Sequence, residues 1–399
     1  MPTIEPKLAG GFRDYLPEDM IPRNIMLETI KQIFERFGFL PMDTPGMERA
    51  EVLAKDNTDF LIYRAGLEGA QDMAMRYDLT VPLARVVAAN PDLPRPFKRY
   101  QFGRVWRGEK QQTSKGRWRE FTQLDVDIVG SASPMADAEI VALMYQTLTT
   151  LGLTEYVIKV NNRQILKDIP AHVLREIDKL GKVGWDELSP LAQSYQATFS
   201  KKQTNNELEQ LLANAKALGV PIEKIIVDNT VIRGLEYYTG NIFEAVLTAP
   251  DLQQYGSVFS GGRYDNLVER FAPFSIPAVG ASIGVDRLFS ALDQLGLLPR
   301  EKTTAKVLVL NFNEDCQETV QILATNLRGS EIPTELYLGQ EDTLKGQLAY
   351  AVKREYPIVI IVGPEEKARG VVKIKNMNSR EQREVAIADV VSAVRETFQ

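Results

Sequence analysis

Two segments separated by a short polar loop carry side chains suited to binding phosphate. The first segment ends with Arg107 and Glu109, and the second leads to Phe121 and Gln123. If the two segments form antiparallel strands, their alternation directs these four side chains inward. The pocket would then offer a guanidinium for phosphate, a carboxylate for an amine and an aromatic ring for stacking on a base. The alternative is a basic hairpin with a few ion pairs on the surface.

Three later segments combine glycine with arginine or tyrosine. Residues 233–240 read Arg-Gly-Leu-Glu-Tyr-Tyr-Thr-Gly, residues 260–265 read Ser-Gly-Gly-Arg-Tyr-Asp, and residues 280–288 read Gly-Ala-Ser-Ile-Gly-Val-Asp-Arg-Leu. Glycines permit close backbone approach, although paired tyrosines are more often core and a Gly-Gly pair alone is weak support for a phosphate loop. Each segment alone could be accidental, but their order and spacing together are not.

The counts of cysteine and histidine and the net charge exclude several kinds of site. Among 399 residues there is one cysteine, Cys316, and one histidine, His172. This excludes a disulfide framework and metal sites built from several of these residues, so no metal ligands from His or Cys are expected. The net charge of −6 excludes a general basic coat for nucleic acid. Residues 95–119 nevertheless hold nine basic residues and one acid, Glu109. This window is either a solvated basic face or faces an anionic partner or nearby carboxylates.

The elements that must position these segments follow from apolar spacing. Apolar side chains at intervals of three and four residues predict a helix over residues 21–37 that stops at Gly38. A polar stretch with few aromatic residues predicts a small helical insert at about 164–222. Helices are also predicted at 81–89, 136–151 and 285–295, and strands at 156–160, 225–228, 242–247 and 278–283.

A change of pattern after residues 297–304 predicts a separate C-terminal domain. Strand, helix, strand, helix and strand follow at 307–312, 318–327, 334–338, 344–354 and 358–362, which is typical of a small parallel α/β domain. A polar hairpin and a closing helix complete it. We therefore predict domains at 1–300 and 305–399. No apolar run is long enough to span a membrane, and the N-terminus lacks a secretory signal pattern, so we expect a cytoplasmic protein without membrane contact.

Taken together, the segments resemble the class II histidyl-tRNA synthetases, in the variant more familiar from eukaryotes and archaea, over nearly the whole chain. Residues 107–123 resemble the second class II motif and residues 280–288 the third. Residues 233–240 and 260–265 resemble the two histidine-specific signatures, which carry the specificity of the match. Residues 11–17 with the following helix resemble the dimer-forming first motif, and residues 76–82 the loop that receives the substrate amino group.

The resemblance implies a fold and an activity. The fold would be α+β, with a class II antiparallel sheet flanked by helices, the small helical insert, and a C-terminal α/β domain like the anticodon-binding module. The activity would be activation of L-histidine with ATP and Mg²⁺ to histidyl-adenylate, followed by transfer to tRNA(His), in a homodimer. Fixed cations can promote such phosphoryl chemistry through positioning and electrostatics alone.

The resemblance also implies roles for individual residues. Arg107 and Arg233 would act on the α-phosphate as catalytic groups. ATP would be bound by Arg107, Glu109, Phe121 and Arg287. The α-amino group of histidine would be bound by Asp78, Thr80 and Gln123. Its imidazole would be bound by Asp127 and Tyr238, and Tyr264 would line the same pocket. The acceptor end of tRNA would contact Lys110, Lys115, Arg117 and Arg119.

Three other functions share parts of this pattern. One is the histidine-binding regulatory subunit of ATP phosphoribosyltransferase, which charges no tRNA; the presence of Arg233 and of residues 306–399 argues against it. A second is a regulatory domain that senses uncharged tRNA, which need not retain Arg107 and Arg287. A third is a synthetase for another amino acid, which the identity of the amino acid that is activated would reveal.

Overall fold

The computed structural model describes residues 3–54, 62–66, 72–108, 118–180, 183–200, 203–232 and 237–398. These residues divide into two compact units. The first comprises Met1–Asp14 and Met26–Leu298, and the second Tyr15–Ile25 and Pro299–Gln399. The domain bounds expected from the sequence, 1–300 and 305–399, stay a prediction.

Eleven strands of the first unit are described, and eight of them form one sheet. The sheet has the order β1-β5-β6-β11-β10-β9-β7-β8, and β2-β4-β3 form a small second sheet. In this sheet order, every neighbouring pair between β5 and β7 is antiparallel, while the two edge pairs, β1–β5 and β7–β8, are parallel. The antiparallel sheet expected from the sequence is therefore confirmed. The strands are β1 Leu40–Pro41, β2 Met47–Arg49, β3 Arg64–Ala65, β4 Met73–Met75, β5 Phe97–Trp106, β6 Glu120–Val129, β7 Tyr156–Asn162, β8 Ile225–Val227, β9 Asn241–Leu247, β10 Ser257–Arg263 and β11 Ala278–Gly284.

The helices lie close to where apolar spacing predicts them. The first ends next to Gly38, whose φ of +77° is the left-handed conformation that glycine adopts readily after a helix. In the predicted insert the described residues form four short or medium helices. The described α-helices are α1 Pro17–Arg36, α2 Ala50–Leu53, α3 Thr80–Ala89, α4 Pro134–Thr150, α5 Ala171–Ile177, α6 Pro190–Ser194, α7 Gln196–Ser200, α8 Asn206–Ala217, α9 Val285–Gln294, α10 Gln317–Gly329, α11 Leu344–Lys353, α12 Pro364–Ala368 and α13 Val390–Thr397.

The two faces of the large sheet differ in character along the middle of β6. Leu124, Val126 and Ile128 of β6 point to one face, where they join a buried apolar core with side chains from α4, α8 and α9. Burying each such side chain contributes roughly 1.5–3 kcal/mol. Because successive strand residues point to opposite faces, Gln123, Asp125 and Asp127 occupy the other face. The core thus fixes the orientation of a polar surface on the far side of the same strands.

The second unit contains the predicted strand and helix alternation. Strand β12 lies between β13 and β14 and is parallel to both, and β14, β15 and β16 continue the sheet as antiparallel neighbours. Helices α10 and α13 cover one face with a core that includes Val320, Leu323 and Val394. In the part of the chain described here, no helix is both long enough and apolar enough to cross a bilayer. The strands are β12 Val307–Val309, β13 Thr334–Leu336, β14 Ile358–Ile361, β15 Val371–Asn376 and β16 Gln382–Ala386.

Candidate active site

The polar face of the large sheet is built from three rows of residues that lie opposite one another on β5, β6 and β11. Each row has a polar residue of β6 at its centre and a small residue of β11 at one side. The rows are Arg99-Asp127-Gly280, Gln101-Asp125-Ser282 and Gly103-Gln123-Gly284.

The first row contains a buried charge cluster around Asp127. Arg99 Nη2 lies 2.8 Å from Asp127 Oδ2, and Tyr264 donates its hydroxyl hydrogen to Asp127 Oδ1. All three side chains are buried. Burial raises the pKa of Asp127, and Arg99 and the Tyr264 hydroxyl oppose this shift. Asp127, predicted to bind imidazole, and Tyr264, predicted to line the same pocket, are therefore brought together.

Glycine makes room for this cluster. A Cβ atom on Gly280 would lie 1.9 Å from Asp127 Oδ1, and one on Gly262 would lie 2.8 Å from Tyr238 Cδ1. Gly261 and Gly262 are interior residues of β10, so the idea that this pair forms a phosphate loop is wrong. The pair is glycine because neighbouring strands and Tyr238 approach too closely for side chains.

Aromatic rings form a wall beside Asp127. The ring centroids of Tyr237 and Tyr238 are 4.8 Å apart, and those of Tyr237 and Tyr264 are 5.8 Å apart. Burial raises the pKa of Tyr237 and of Tyr264 well above the ordinary value, so both are neutral hydroxyl groups at physiological pH. The Tyr238 ring thus packs on Tyr237, which in turn packs on Tyr264.

At the second row, the start of α3 presents Asp78 and Thr80. Asp78 Oδ1 accepts a hydrogen bond from the backbone of Val81 at 3.1 Å, which satisfies one of the free N–H groups at the helix start. Its Oδ2 is buried and accepts no hydrogen bond from the described residues. Burial raises the pKa of Asp78 to about 6, against the opposing effects of the Val81 N–H and Arg107. Thr80 Oγ1 lies 3.5 Å from Asp125 Oδ2.

Gln123 completes the group predicted to bind the amino function. Its Nε2 donates to Ser282 Oγ at 2.6 Å, while its Oε1 is buried and, within the described ranges, has no donor. Asp78, Thr80 and Gln123 therefore lie on adjoining parts of one surface, with two of their acceptor atoms unused.

The outer end of the polar face holds Arg107 and Phe121, two of the residues predicted to bind ATP. Arg107 donates from Nε to the Tyr77 carbonyl at 3.0 Å, and its guanidinium carbon lies 5.0 Å from the centre of the Phe121 ring. Arg287 Nη1 donates to the Ser257 carbonyl at 3.2 Å. The helix that carries Arg287 is tied to β6 because the backbone N–H of Thr122 donates to Asp286 Oδ2 at 2.9 Å.

Several predicted residues lie outside the described ranges, and their roles stay predictions. Arg119 is described: its backbone N–H donates to the Gly11 carbonyl at 2.8 Å and its guanidinium to the Gly10 carbonyl at 3.3 Å. Three cations of the basic window pair with carboxylates of the chain itself: Lys98 with Glu139, Arg99 with Asp127, and Arg104 with Glu120. The residues outside the described ranges are Glu109, Lys110, Lys115, Arg117 and Arg233.

Two residues of this surface were not singled out from the sequence. Arg99 entered only as part of the basic window, yet it is completely buried. Asp125 was passed over between Gln123 and Asp127, although the spacing of two along a strand puts all three on the same face. That spacing was the signal that could have found Asp125.

A mostly antiparallel sheet, with an apolar core on one face and a polar pocket on the other, defines the catalytic fold of a class II aminoacyl-tRNA synthetase. The family model described as histidyl-tRNA synthetase matches residues 11–183 and 170–288, and that of the anticodon binding domain matches residues 306–397. The chain belongs to the histidyl-tRNA synthetase family.

Individual relatives agree with this assignment. A histidine–tRNA ligase of Rhodopirellula baltica is 37% identical over an alignment that covers 96% of each chain. The crystal structure of a histidyl-tRNA synthetase from Nostoc sp. PCC 7120 superposes with a TM-score of 0.84 at 29% identity, covering 99% of this chain and all of the other. These relatives are bacterial, and a likeness to the eukaryotic and archaeal variant stays a prediction.

A second solved structure has the same fold at lower sequence identity. A protein of Bacillus halodurans described as an ATP phosphoribosyltransferase regulatory subunit/histidyl-tRNA synthetase superposes with a TM-score of 0.71 at 22% identity, covering 88% of this chain and 97% of the other. At that identity the likeness concerns the fold alone.

Proposed function

We propose that this chain is a histidine–tRNA ligase. The carboxylate of L-histidine attacks the α-phosphorus of ATP, which forms histidyl-adenylate and releases pyrophosphate. A hydroxyl of the terminal adenosine of tRNA(His) then attacks the histidyl carbonyl, and AMP leaves. The family and the identity to curated histidine–tRNA ligases support this activity.

The observation that supports histidine as substrate is the pairing of Asp127 with Tyr264. Asp127 is held by Arg99 on one oxygen and by the Tyr264 hydroxyl on the other. A carboxylate so oriented can accept an imidazole N–H, and the Tyr238 hydroxyl would serve the second ring nitrogen. A pocket that hydrogen-bonds both nitrogens rejects apolar analogues strongly, because they would leave buried polar groups unpaired.

For ATP, we propose that the outer end of the polar face binds the nucleotide. Arg107 and Arg233 would neutralise the α-phosphate, Phe121 would stack on adenine, and Glu109 and Arg287 would complete the nucleotide contacts. The 5.0 Å separation of the Arg107 guanidinium from the Phe121 ring supports a shared role for these two side chains. Bound Mg²⁺ would supply charge compensation at the ATP phosphates.

For tRNA, we propose two contact regions. Lys110, Lys115, Arg117 and Arg119 would meet phosphates of the acceptor end. Residues 306–397 would contact the anticodon region, as the matching family model suggests. We further propose a cytoplasmic homodimer whose dimer contact includes residues 11–17.

The decisive experiment is ATP–pyrophosphate exchange with purified protein, ATP and Mg²⁺, tested separately with all twenty amino acids. The proposed function predicts exchange with histidine alone, followed by histidine-dependent charging of tRNA(His). Exchange driven by a different amino acid would overturn the substrate assignment.

The same assay distinguishes the regulatory subunit. Because the Bacillus halodurans protein has the same fold, architecture alone does not separate the two functions. Histidine binding without any exchange would favour the regulatory function, while residues 306–397, which match the anticodon binding domain, favour the ligase.

A further inference from the structure

The polar face contains one buried carboxylate that the proposed function leaves without a role. Asp125 is 2% exposed and lies on β6 between Gln123 and Asp127. Its register neighbours are Gln101 on β5 and Ser282 on β11. Neither neighbour is basic, and Arg99 of β5, whose charge opposes the raised pKa of Asp125, is itself paired with Asp127.

The hydrogen bonds of Asp125 are also incomplete. No described residue donates a hydrogen bond to its Oδ1, and Oδ2 lies 3.5 Å from Thr80 Oγ1, at the limit of hydrogen bonding. The Ser282 hydroxyl, which accepts from Gln123, gives its single hydrogen to Asp125, whereas an ionised carboxylate accepts about four hydrogen bonds. The buried guanidinium of Arg99 is directed at Asp127 instead.

Two neighbouring acceptors share this shortage of donors. Asp78 Oδ2 and Gln123 Oε1 are buried, and no described group donates to either. Burying an acceptor without a donor is unfavourable, so these unpaired acceptors on the polar face indicate a ligand that brings several donors. An α-ammonium group supplies three N–H donors and a positive charge.

We propose that Asp125 is a positioning residue for the α-ammonium group of the substrate amino acid, acting through Thr80 and through its own negative charge. The inference rests on the proposed function and deepens it, because it assigns a fourth residue to the group formed by Asp78, Thr80 and Gln123. The amino group then binds as a cation at one end of β6, while Arg99 balances Asp127 at the imidazole end.

The electrostatics of the ligand-free site agree with this role. Burial raises the pKa of Asp125 to about 7; Arg99 opposes the shift and Asp127 adds to it. A carboxylate in this position is stabilised by an incoming cation. The charged and titratable groups that face Asp125 are Arg99, Asp127, Asp78, Arg76, Tyr237 and Tyr264.

The test compares ligands that differ in the amino group. Histidinol retains the ammonium and imidazole groups but lacks the carboxylate, and imidazole-4-propionate lacks the ammonium. Calorimetric titration of the full chain should show that Asp125→Asn weakens histidinol binding 10- to 100-fold and changes imidazole-4-propionate binding less than threefold. The matched control is Glu139→Gln. This change removes the carboxylate of α4 that pairs with Lys98, and it should leave both affinities unchanged.

Two outcomes would overturn the inference. Equal losses for both ligands would show that Asp125 only maintains the pocket, and an unchanged histidinol affinity would show that it does not act on the ammonium. If Asp125→Asn does not fold, Asp125→Ser tests the same difference with a smaller side chain. Because histidinol binding requires no catalysis, the result is independent of pyrophosphate exchange. Loss of exchange in the unmodified protein would therefore count against the proposed function alone.

Discussion

Arg99 and Asp127 form an ion pair of 2.8 Å in which the Arg99 side chain is fully buried and Asp127 is 3% exposed. Removing two charges from water is unfavourable, and their attraction offsets this only when the geometry and additional hydrogen bonds are good. Here Tyr264 provides a hydrogen bond to the second oxygen of Asp127, and Arg99 donates to the Leu79 carbonyl at 3.2 Å. The pair therefore fixes the carboxylate that we expect to select imidazole.

Removing the guanidinium should make Asp127 an uncompensated buried charge. We expect Arg99→Gln to lower the free energy of unfolding by about 3–5 kcal/mol at pH 8, measured by urea denaturation. Arg99 opposes the raised pKa of Asp127, so its loss raises that pKa further, and the deficit should shrink as the pH is lowered and the carboxyl takes up a proton. The double variant Arg99→Gln/Asp127→Asn should recover part of the stability. Additive losses would contradict the pairing.

Asp125 should destabilise the ligand-free protein at high pH. Its pKa is about 7 in the folded protein against an ordinary 3.8, so the folded state holds the proton more strongly. Stability from this group is then complete below about pH 4 and is lost as pH rises to 7. We expect Asp125→Asn to be more stable than the unmodified protein by roughly 1–3 kcal/mol at pH 8 and equal to it at pH 4. A constant difference across this range would contradict the assignment.

Tyr238 should affect histidine more than ATP. Its ring lies 4.8 Å from that of Tyr237, and Tyr238→Phe keeps this packing while removing the hydroxyl. We expect the KM for histidine in pyrophosphate exchange to rise about 10-fold, as for the loss of one buried hydrogen bond, with the KM for ATP unchanged. An unchanged histidine KM would remove Tyr238 from the imidazole contact.

Arg233 should act in the chemical step. If it neutralises the α-phosphate in the transition state, Arg233→Ala should reduce kcat for exchange by about 100-fold or more. Histidine binding, measured by calorimetry without ATP, should remain near normal. Near-normal exchange by this variant would exclude Arg233 from the mechanism.

Gly280 should tolerate no side chain. The Cβ atom of an alanine there would lie 1.9 Å from Asp127 Oδ1 and 2.7 Å from the Val126 carbonyl oxygen. We expect Gly280→Ala to destabilise the protein by roughly 1–3 kcal/mol in urea denaturation and to raise the histidine KM. Gly284→Ala is the matched control for stability, because its Cβ would meet Arg287 at 3.7 Å, an ordinary contact distance. Equal losses in both variants would point to a general effect on β11.

Apolar periodicity was sufficient for much of the fold. Helices α3, α4 and α9 and the strand–helix alternation of the second unit were predicted within a few residues, because their buried faces repeat regularly. Strand β10 was missed, since Gly261 and Gly262 resemble a loop in sequence. Both positions are glycine because the neighbouring strands approach too closely for side chains. Such long-range contacts cannot be read from the local sequence.

The site residues were likewise predicted only in part. Resemblance pointed to Asp127 and Tyr264, and the structure brings them together. It did not point to Arg99, because a sequence shows a basic residue but not the buried carboxylate that pairs with it across β5 and β6. Of the explanations that the basic window left open, the structure shows a nearby carboxylate at Arg99, and this ion pair is buried.

Strand β6 belongs to the hydrophobic core and to the substrate pocket through alternate residues. Deleting one residue within it would turn Asp125 and Asp127 into the apolar core and Leu124 and Val126 toward the pocket. The length of this segment is thus more tightly constrained than the identity of any one residue. During divergence, a replaced side chain can alter ligand preference gradually, whereas an insertion or deletion here would remove the fold and the pocket in one event.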